Sequence, residues 1–218
     1  MRPEAPIEAL RPALEGACDS LGLALDPATL DRLLAYWTRR LDGAPPSLEL
    51  PLDRCRPAVP SHRGVRASLT LPPDLVAGLK GLARRHGATL YMVLLAGFQI
   101  CLARTARTVD IVVGSPVSGR LRAELEPLVG LFVNLLLLRT DLGGDPTVEE
   151  ALRRVRATVL GALEHQDLPF ERLVEAVNPP RSRGQAPLFQ ALFSFQQDPP
   201  GGEPFHGLVE VPLRLGGR

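Results

Sequence analysis

Apolar and polar positions alternate along this chain in ways that separate helical from extended stretches. Leu30, Leu33, Leu34, Trp37 and Leu41 share one face at helical spacing, which predicts an amphipathic helix over 30–41. Gly43, Pro45 and Pro46 stop it. A proline-dotted extended stretch runs to Gly64, and residues 65–71 alternate as a strand. Pro72, Pro73 and Asp74 open a second helix with Leu75, Leu79, Leu82 and Ala83 on its apolar face. Gly87 stands where a left-handed helix terminator belongs. Thr89 caps a third helix reaching Arg104, apolar nearly all round and therefore buried on several sides.

The second half continues the alternation. Residues 109–113 and 131–138 read as strands, the latter covered on both faces. Thr147 and Glu150 form a capping box before a long helix with the stripe Val148, Leu152, Val155, Val159 and Leu163. A turn over 165–169 leads to a short helix with Phe170, Leu173, Val174 and Val177 on one face. Beyond a polar loop at 178–185, Phe189, Ala191, Phe193 and Phe195 point one way and Gln190, Ser194 and Gln196 the other, a strand pattern. The expected fold class is α/β, a mixed sheet with helices packed on it. Residues 29–198 form its body. Residues 1–28 are either a loose helix or an unstructured leader, and 199–218 a loop with a final strand or a truncated tail.

Composition narrows the class more than the task. With 218 residues, 45% hydrophobic and 22% charged, the chain has the make-up of a soluble globular protein. A net charge of +1 supplies no electrostatic pull toward nucleic acid or an anionic membrane. Lys80 is the sole lysine among 25 basic residues, a bias that reads as coding preference. Cys18, Cys55 and Cys101 lack the spacing of a disulfide framework or a metal site. The N-terminus has prolines and acids where a signal peptide needs an apolar run. The longest apolar stretch, 90–103, falls short of the ~20 residues of a membrane span. These features lead to a cytoplasmic expectation. Ser115 and Ser118, near His and Asp, lie in GSPVSG, which is not the GxSxG elbow of a hydrolase.

Five segments together resemble a known family. They are LLAYWTRRLDGAPPSLELPLDRCRPAV at 33–59, DIVVGSPVSGR at 110–120, VGLFVNLLLLRTDL at 129–142, HQDLPFE at 165–171, and APLFQALFSFQ at 186–196. Their order and spacing are similar to the C-terminal lobe of a condensation domain from a nonribosomal peptide synthetase. The resemblance implies a chloramphenicol acetyltransferase-like fold of two related lobes with a tunnel between them. It implies peptidyl or acyl carrier proteins as partners, their phosphopantetheine arms delivering an acyl thioester and an amine. No cofactor or metal is expected to bind directly.

The family's HHxxxDG motif belongs to the N-terminal lobe, and none of His62, His86, His165 and His206 lies in such a motif. No catalytic residue is therefore assigned here, and the N-terminal lobe is expected as a partner in another chain or missing. The resemblance makes Arg120 the mate of that motif's aspartate; alone, it points to water or meets an outside carboxylate. Gly114 and Pro116 are expected to shape the turn at the strand end. Asn134 braces a loop or touches the pantetheine arm, with Leu135 in place of the family's threonine. His165, Gln166, Asp167, Pro169, Phe170 and Glu171 read as structural, with Asp167 capping the short helix and Pro169 in its first turn. The alternative function is a non-catalytic module that docks carriers or the other lobe. A complete small acyltransferase lacks an identifiable nucleophile or base.

Overall fold

A computed structural model describes residues 25–54, 64–121, 123–179 and 186–196. Helix α1, Pro27–Leu41, starts earlier than its apolar stripe because Asp26 accepts a hydrogen bond from the Thr29 N–H at 2.9 Å. Helices α2, Pro73–Arg85, and α3, Leu90–Ala106, follow. Gly87 takes the left-handed conformation between them, with φ +57°, and the Thr89 hydroxyl caps α3 by accepting from the Met92 N–H. Strands β1, Asp110–Val117, and β2, Asn134–Asp141, flank a single 3-10 turn, Ala123–Leu125. Helices α4, Val148–Glu164, and α5, Phe170–Val177, complete the described body.

The sheet is small. β1 and β2 pair antiparallel, with Asp110 opposite Asp141 at one end and Val117 opposite Asn134 at the other. On the free edge of β1, Gly114 forms one parallel bridge to Leu192, through Gly114 N–H to Ala191 O and Phe193 N–H to Gly114 O. The sheet proper is an antiparallel pair, and its one parallel contact among the described residues is this isolated bridge. Residues 189–196 join it through this one bridge and not as a full strand. Ala191 is buried and Phe193 half-buried between exposed Leu192 and Ser194, but Gln190 is half-buried like Phe189 and Phe195 is exposed, so the predicted alternation holds only over 191–194.

The strand predicted at 65–71 does not form. Val65 is fully exposed and Leu69 is 87% exposed. Alternation favours a strand only where one face is covered and one edge is paired. Among the described residues nothing pairs with this stretch. The predictions for β1 and β2 locate the strands but misplace their ends: β1 runs four residues past Val113, and β2 begins three past Leu131. Of the leader expected over 1–28, residues 27 and 28 belong to α1, and 1–24 lie outside the described residues, as does the tail at 199–218.

One core binds these elements. Leu33 and Trp37 of α1, Leu95 of α3, Ile111 and Val113 of β1, Leu137 and Leu138 of β2, and Leu152 and Val155 of α4 are essentially inaccessible. Gln99 is also fully buried and donates to Leu138 O at 2.8 Å, anchoring α3 to the sheet. Helix α1 is held by polar contacts as well. The Trp37 indole N–H donates to His165 O at 2.9 Å, and Arg40 donates to Arg139 O and to the Thr158 hydroxyl. Arg139 grips Asp110 across the ladder with a shortest contact of 2.7 Å, and donates to the carbonyls of Arg40 and Asp42. A two-pronged guanidinium–carboxylate pair of this kind fixes geometry better than a single contact does.

Half of the predicted capping box is present. The Thr147 hydroxyl accepts from the Glu150 N–H, but the Glu150 carboxylate does not reach back. It is taken instead by Arg153 and Arg154, one turn ahead, at 2.7 and 2.8 Å. The Arg153 hydrogen bond, then that of Arg154, lowers the Glu150 pKa from 4.5 to about 2. A depressed carboxylate supplies its stabilisation above the unfolded value and loses it as pH falls through the folded one. The first turn of α4 should therefore lose amide protection as the pH drops from 4.5 toward 2. Carboxyl NMR should place the Glu150 titration near the lower value and, in R153Q/R154Q, back near the upper one. A wild-type midpoint at the ordinary value would remove the claim.

Candidate condensation site

At the far end of the ladder from Asp110, the chain leaves β1 through Ser118, Gly119 and Arg120 and returns into β2 at Asn134. The turn depends on Gly119, not on Gly114 or Pro116. Gly119 has φ +64°, and a Cβ there would collide with Phe132 O. Gly114 and Pro116 lie within β1, with Pro116 opposite Leu135. The turn-shaping role expected for these two is corrected accordingly. Gly114 is required for close approach: the Phe189 ring occupies the space a Cβ would fill, with Cε2 at 2.6 Å.

Arg120 does not point freely to water, one of the two environments expected of it. It is half-buried and folds back on its own loop. It donates to Leu125 O, extends toward the carbonyls of Glu126 and Gly130, and lies over the Phe132 ring with Cζ 4.3 Å from the centroid. No carboxylate pairs with it among the described residues. The loop it braces buries Leu125 yet turns Val129 and Leu131 wholly to solvent, with Leu121 and Val133 also exposed.

Asn134 is the best-connected polar side chain of the region. Its Nδ2 donates to Gln166 O and Leu168 O, both at 2.8 Å, and its Oδ1 accepts from Leu135 N–H at 2.9 Å and Phe170 N–H at 3.1 Å. An amide has two donors and two acceptor sites, so every one is used. This accounts for the start of α5. Asp167 is exposed and does not cap the helix, and Pro169 occupies the cap position itself, where the expectation put it in the first turn. The orphan N–H of Phe170 is satisfied by Asn134, from another element.

The HQDLPFE turn is fixed on its other side too. His165 stacks flat on Tyr36, with centroids 3.6 Å apart and planes 6° from parallel, and its Nδ1 lies 2.8 Å from Gly161 O. Gln166 donates to Leu163 O, closing the end of α4. Glu171 is exposed in the first turn of α5, where its charge suits the helix dipole. Phe170 packs edge-on against Phe189 at 5.9 Å. A closed circuit results: Gly114 admits Phe189, Phe189 meets Phe170, and the Phe170 N–H is held by Asn134, which sits on the strand paired with β1. Arg120 adjoins this circuit without entering it.

Ser115 is buried and donates to Phe193 O at 2.9 Å. With its proton so placed, the Tyr91 hydroxyl 2.7 Å away must donate to the Ser115 Oγ. Burial raises the Tyr91 pKa, so the phenol keeps that proton. The serine has no base and serves as a fastener between β1 and residue 193. Phe189 was read in the alternating stretch after 185, but no sequence pattern singled out Tyr36 or Tyr91. The only trace of these two was aromatic content at apolar positions. Among the described residues no cluster of His, Cys, Asp and Glu could hold a metal ion, and no single helix is long and apolar enough to cross a membrane.

This arrangement is an α/β fold of the chloramphenicol acetyltransferase-like type, with residues 117–120, 129–134 and 165–171 of three motif segments gathered at one end of its sheet. The condensation-domain family model matches residues 25–202, and the chain belongs to that family. It is 50% identical over 187 residues to a linear gramicidin synthase polypeptide of Brevibacillus parabrevis, covering 86% of this chain and 2% of the synthase. Identity is 47% over 177 residues to phosphinothricin tripeptide synthetase PhsB of Streptomyces viridochromogenes, covering 80% and 15%. The X-domain from teicoplanin biosynthesis superposes with a TM-score of 0.75 at 30% identity, over 88% of this chain and 42% of that one. A four-domain nonribosomal peptide synthetase bound to AMP and glycine gives 0.77 at 31%, over 82% and 13%. The chain thus spans less than half the length of each of these relatives.

Replacing Asn134 tests the circuit. N134A leaves the Phe170 N–H and two carbonyls without their partner and should cost about 1–3 kcal/mol in urea unfolding. N134D should cost more at pH 7, because a carboxylate would face the carbonyls of Gln166 and Leu168. Equal stability of N134D and wild type would show that the amide does not hold the turn.

Proposed function

We propose that this chain forms the C-terminal lobe of a condensation chamber. Joined to a lobe carrying HHxxxDG, it serves amide-bond formation between an acyl or peptidyl thioester on one carrier protein and an aminoacyl amine on another, in the cytoplasm. The observation that carries the reading is the convergence of residues 117–120, 129–134 and 165–171, parts of three motif segments, at one end of the sheet. They frame a loop that turns Val129 and Leu131 to solvent. An apolar loop beside a half-buried cation unmatched by a carboxylate among the described residues is what the rim of a shared chamber requires.

In the reaction the amine nitrogen attacks the thioester carbonyl, a C–N bond forms, and the carbonyl electrons pass to oxygen. The oxyanion then collapses, the C–S bond breaks, and the amine's surplus proton is passed to the departing pantetheine thiolate. Positioning of the two arms and handling of that proton are the tasks to be divided. The proton is assigned to the imidazole of HHxxxDG in the other lobe. His165 is held by Tyr36 and Gly161 and is read as structural. Asn134 has no hydrogen-bonding site left for a pantetheine arm, so its part is to fix the wall along which the arm passes. Arg120 donates to carbonyls and meets no carboxylate among the described residues, and pairing with the motif's aspartate would tie the lobes together.

Reconstitution tests this. The 218-residue chain, an HHxxxDG-bearing lobe and two pantetheinylated carriers loaded with acyl and aminoacyl groups are combined, and the amide is followed by mass spectrometry. Product is expected with both lobes, none with either alone, and at least about tenfold less with R120A, a deficit R120K repairs only in part. Turnover by this chain alone would overturn the reading. Carrier binding without product in the full mixture would replace it with the non-catalytic docking module.

A further inference from the structure

A groove of about 860 Å³ runs between α1 and α4 over the edge of β2. Arg39 and Arg40 form one wall, Arg153 and Arg154 the other, and Arg139 lies in the floor; Asp110 and Asp141 are the only acids among the described residues of the lining. Both aspartates are engaged, Asp110 by Arg139 and Asp141 by the Gly143 N–H. Guanidinium N–H groups remain on both walls. Arg40 uses only Nη2, Arg153 leaves Nη1, Arg154 leaves Nη2, and Arg39 has no partner among the described residues. Uncharged Tyr36, Ala157 and Gly161 also line the groove.

We infer that this groove docks an acidic, extended polypeptide segment of a neighbouring domain or protein, with carboxylates alternating with small apolar residues. Three features select that occupant. Five guanidiniums stand against three carboxylates, Asp110, Asp141 and the Glu150 that pairs with Arg153 and Arg154, and the excess calls for an anion. Arg39 stands on α1 and Arg153 and Arg154 on α4, with uncharged Tyr36, Ala157 and Gly161 beside them and Arg40 reaching across to Thr158, a spread that suits charges spaced along a chain and not one compact polyanion. From Arg153 to Gly161 the wall on α4 spans about 12 Å, room for roughly four extended residues.

The groove is distinct from the condensation site. Asp110 and Asp141 mark one end of the β1–β2 ladder and Val117 and Asn134 the other, about 23 Å away at strand rise. The inference therefore stands whether or not the chamber reading does.

An amide NMR titration of the full chain at low salt with an octapeptide of alternating Glu and Ala tests it, with tripolyphosphate as competitor. Shifts are expected at Arg39, Arg40, Arg153 and Ala157. The R39Q/R153Q variant, whose altered residues are exposed, should bind about tenfold more weakly with an unchanged circular dichroism spectrum. R84Q/R85Q removes the same charge from α2, outside the groove, and should bind as wild type does. Absence of shifts at these positions, equal weakening by both variants, or displacement of the peptide by tripolyphosphate at matched charge would each overturn the inference.

Discussion

The register of a single antiparallel pair governs this molecule. With Val117 opposite Asn134 and Asp110 opposite Asp141, β1 and β2 set two separate polar assemblies at opposite ends of one ladder. Slipping the pairing by one residue would carry Ile111, Val113, Leu136 and Leu138 to the opposite face, into places packed around Val112 and Leu137, all of them buried here. The register is therefore over-determined by burial, and what lies at the two ends inherits its precision. At one end Arg139 locks Asp110 and carries α1. At the other, Asn134 places the turn after α4 and the first residue of α5.

That dependence explains which features could be read from the chain. Helices α1, α2, α3 and α4 were legible because their apolar spacing and local caps, such as Thr89 and Thr147, are encoded within a few residues. The strand at 65–71 was not, since alternation says nothing about whether a neighbour exists to pair with it. The capping of α5 was missed for a related reason: its acceptor, Asn134, is 36 residues upstream, and Asp167 merely has the right chemistry in the right local place. Gly114 and Gly119 were both visible as glycines, but only the folded contacts distinguish one that admits a ring from one that must adopt positive φ. The family resemblance supplied what local patterning could not, namely that these segments belong together.

Function follows the same division. The acid–base chemistry that HQDLPFE suggests serves as a brace, with the imidazole spent on an aromatic stack and a helix carbonyl. The unspent features lie on the 118–133 loop: an apolar surface open to water and a guanidinium that has found carbonyls but no carboxylate among the described residues. A lobe with a rigid backing and an unfinished rim is suited to complete a chamber with a second lobe.

Hydrogen–deuterium exchange of the 218-residue chain, alone and with an HHxxxDG-bearing lobe, tests that claim most directly. The account predicts new protection concentrated at 119–133 on mixing, with the arginine groove between α1 and α4 unchanged. Exchange at 119–133 that is indifferent to the second lobe would contradict it.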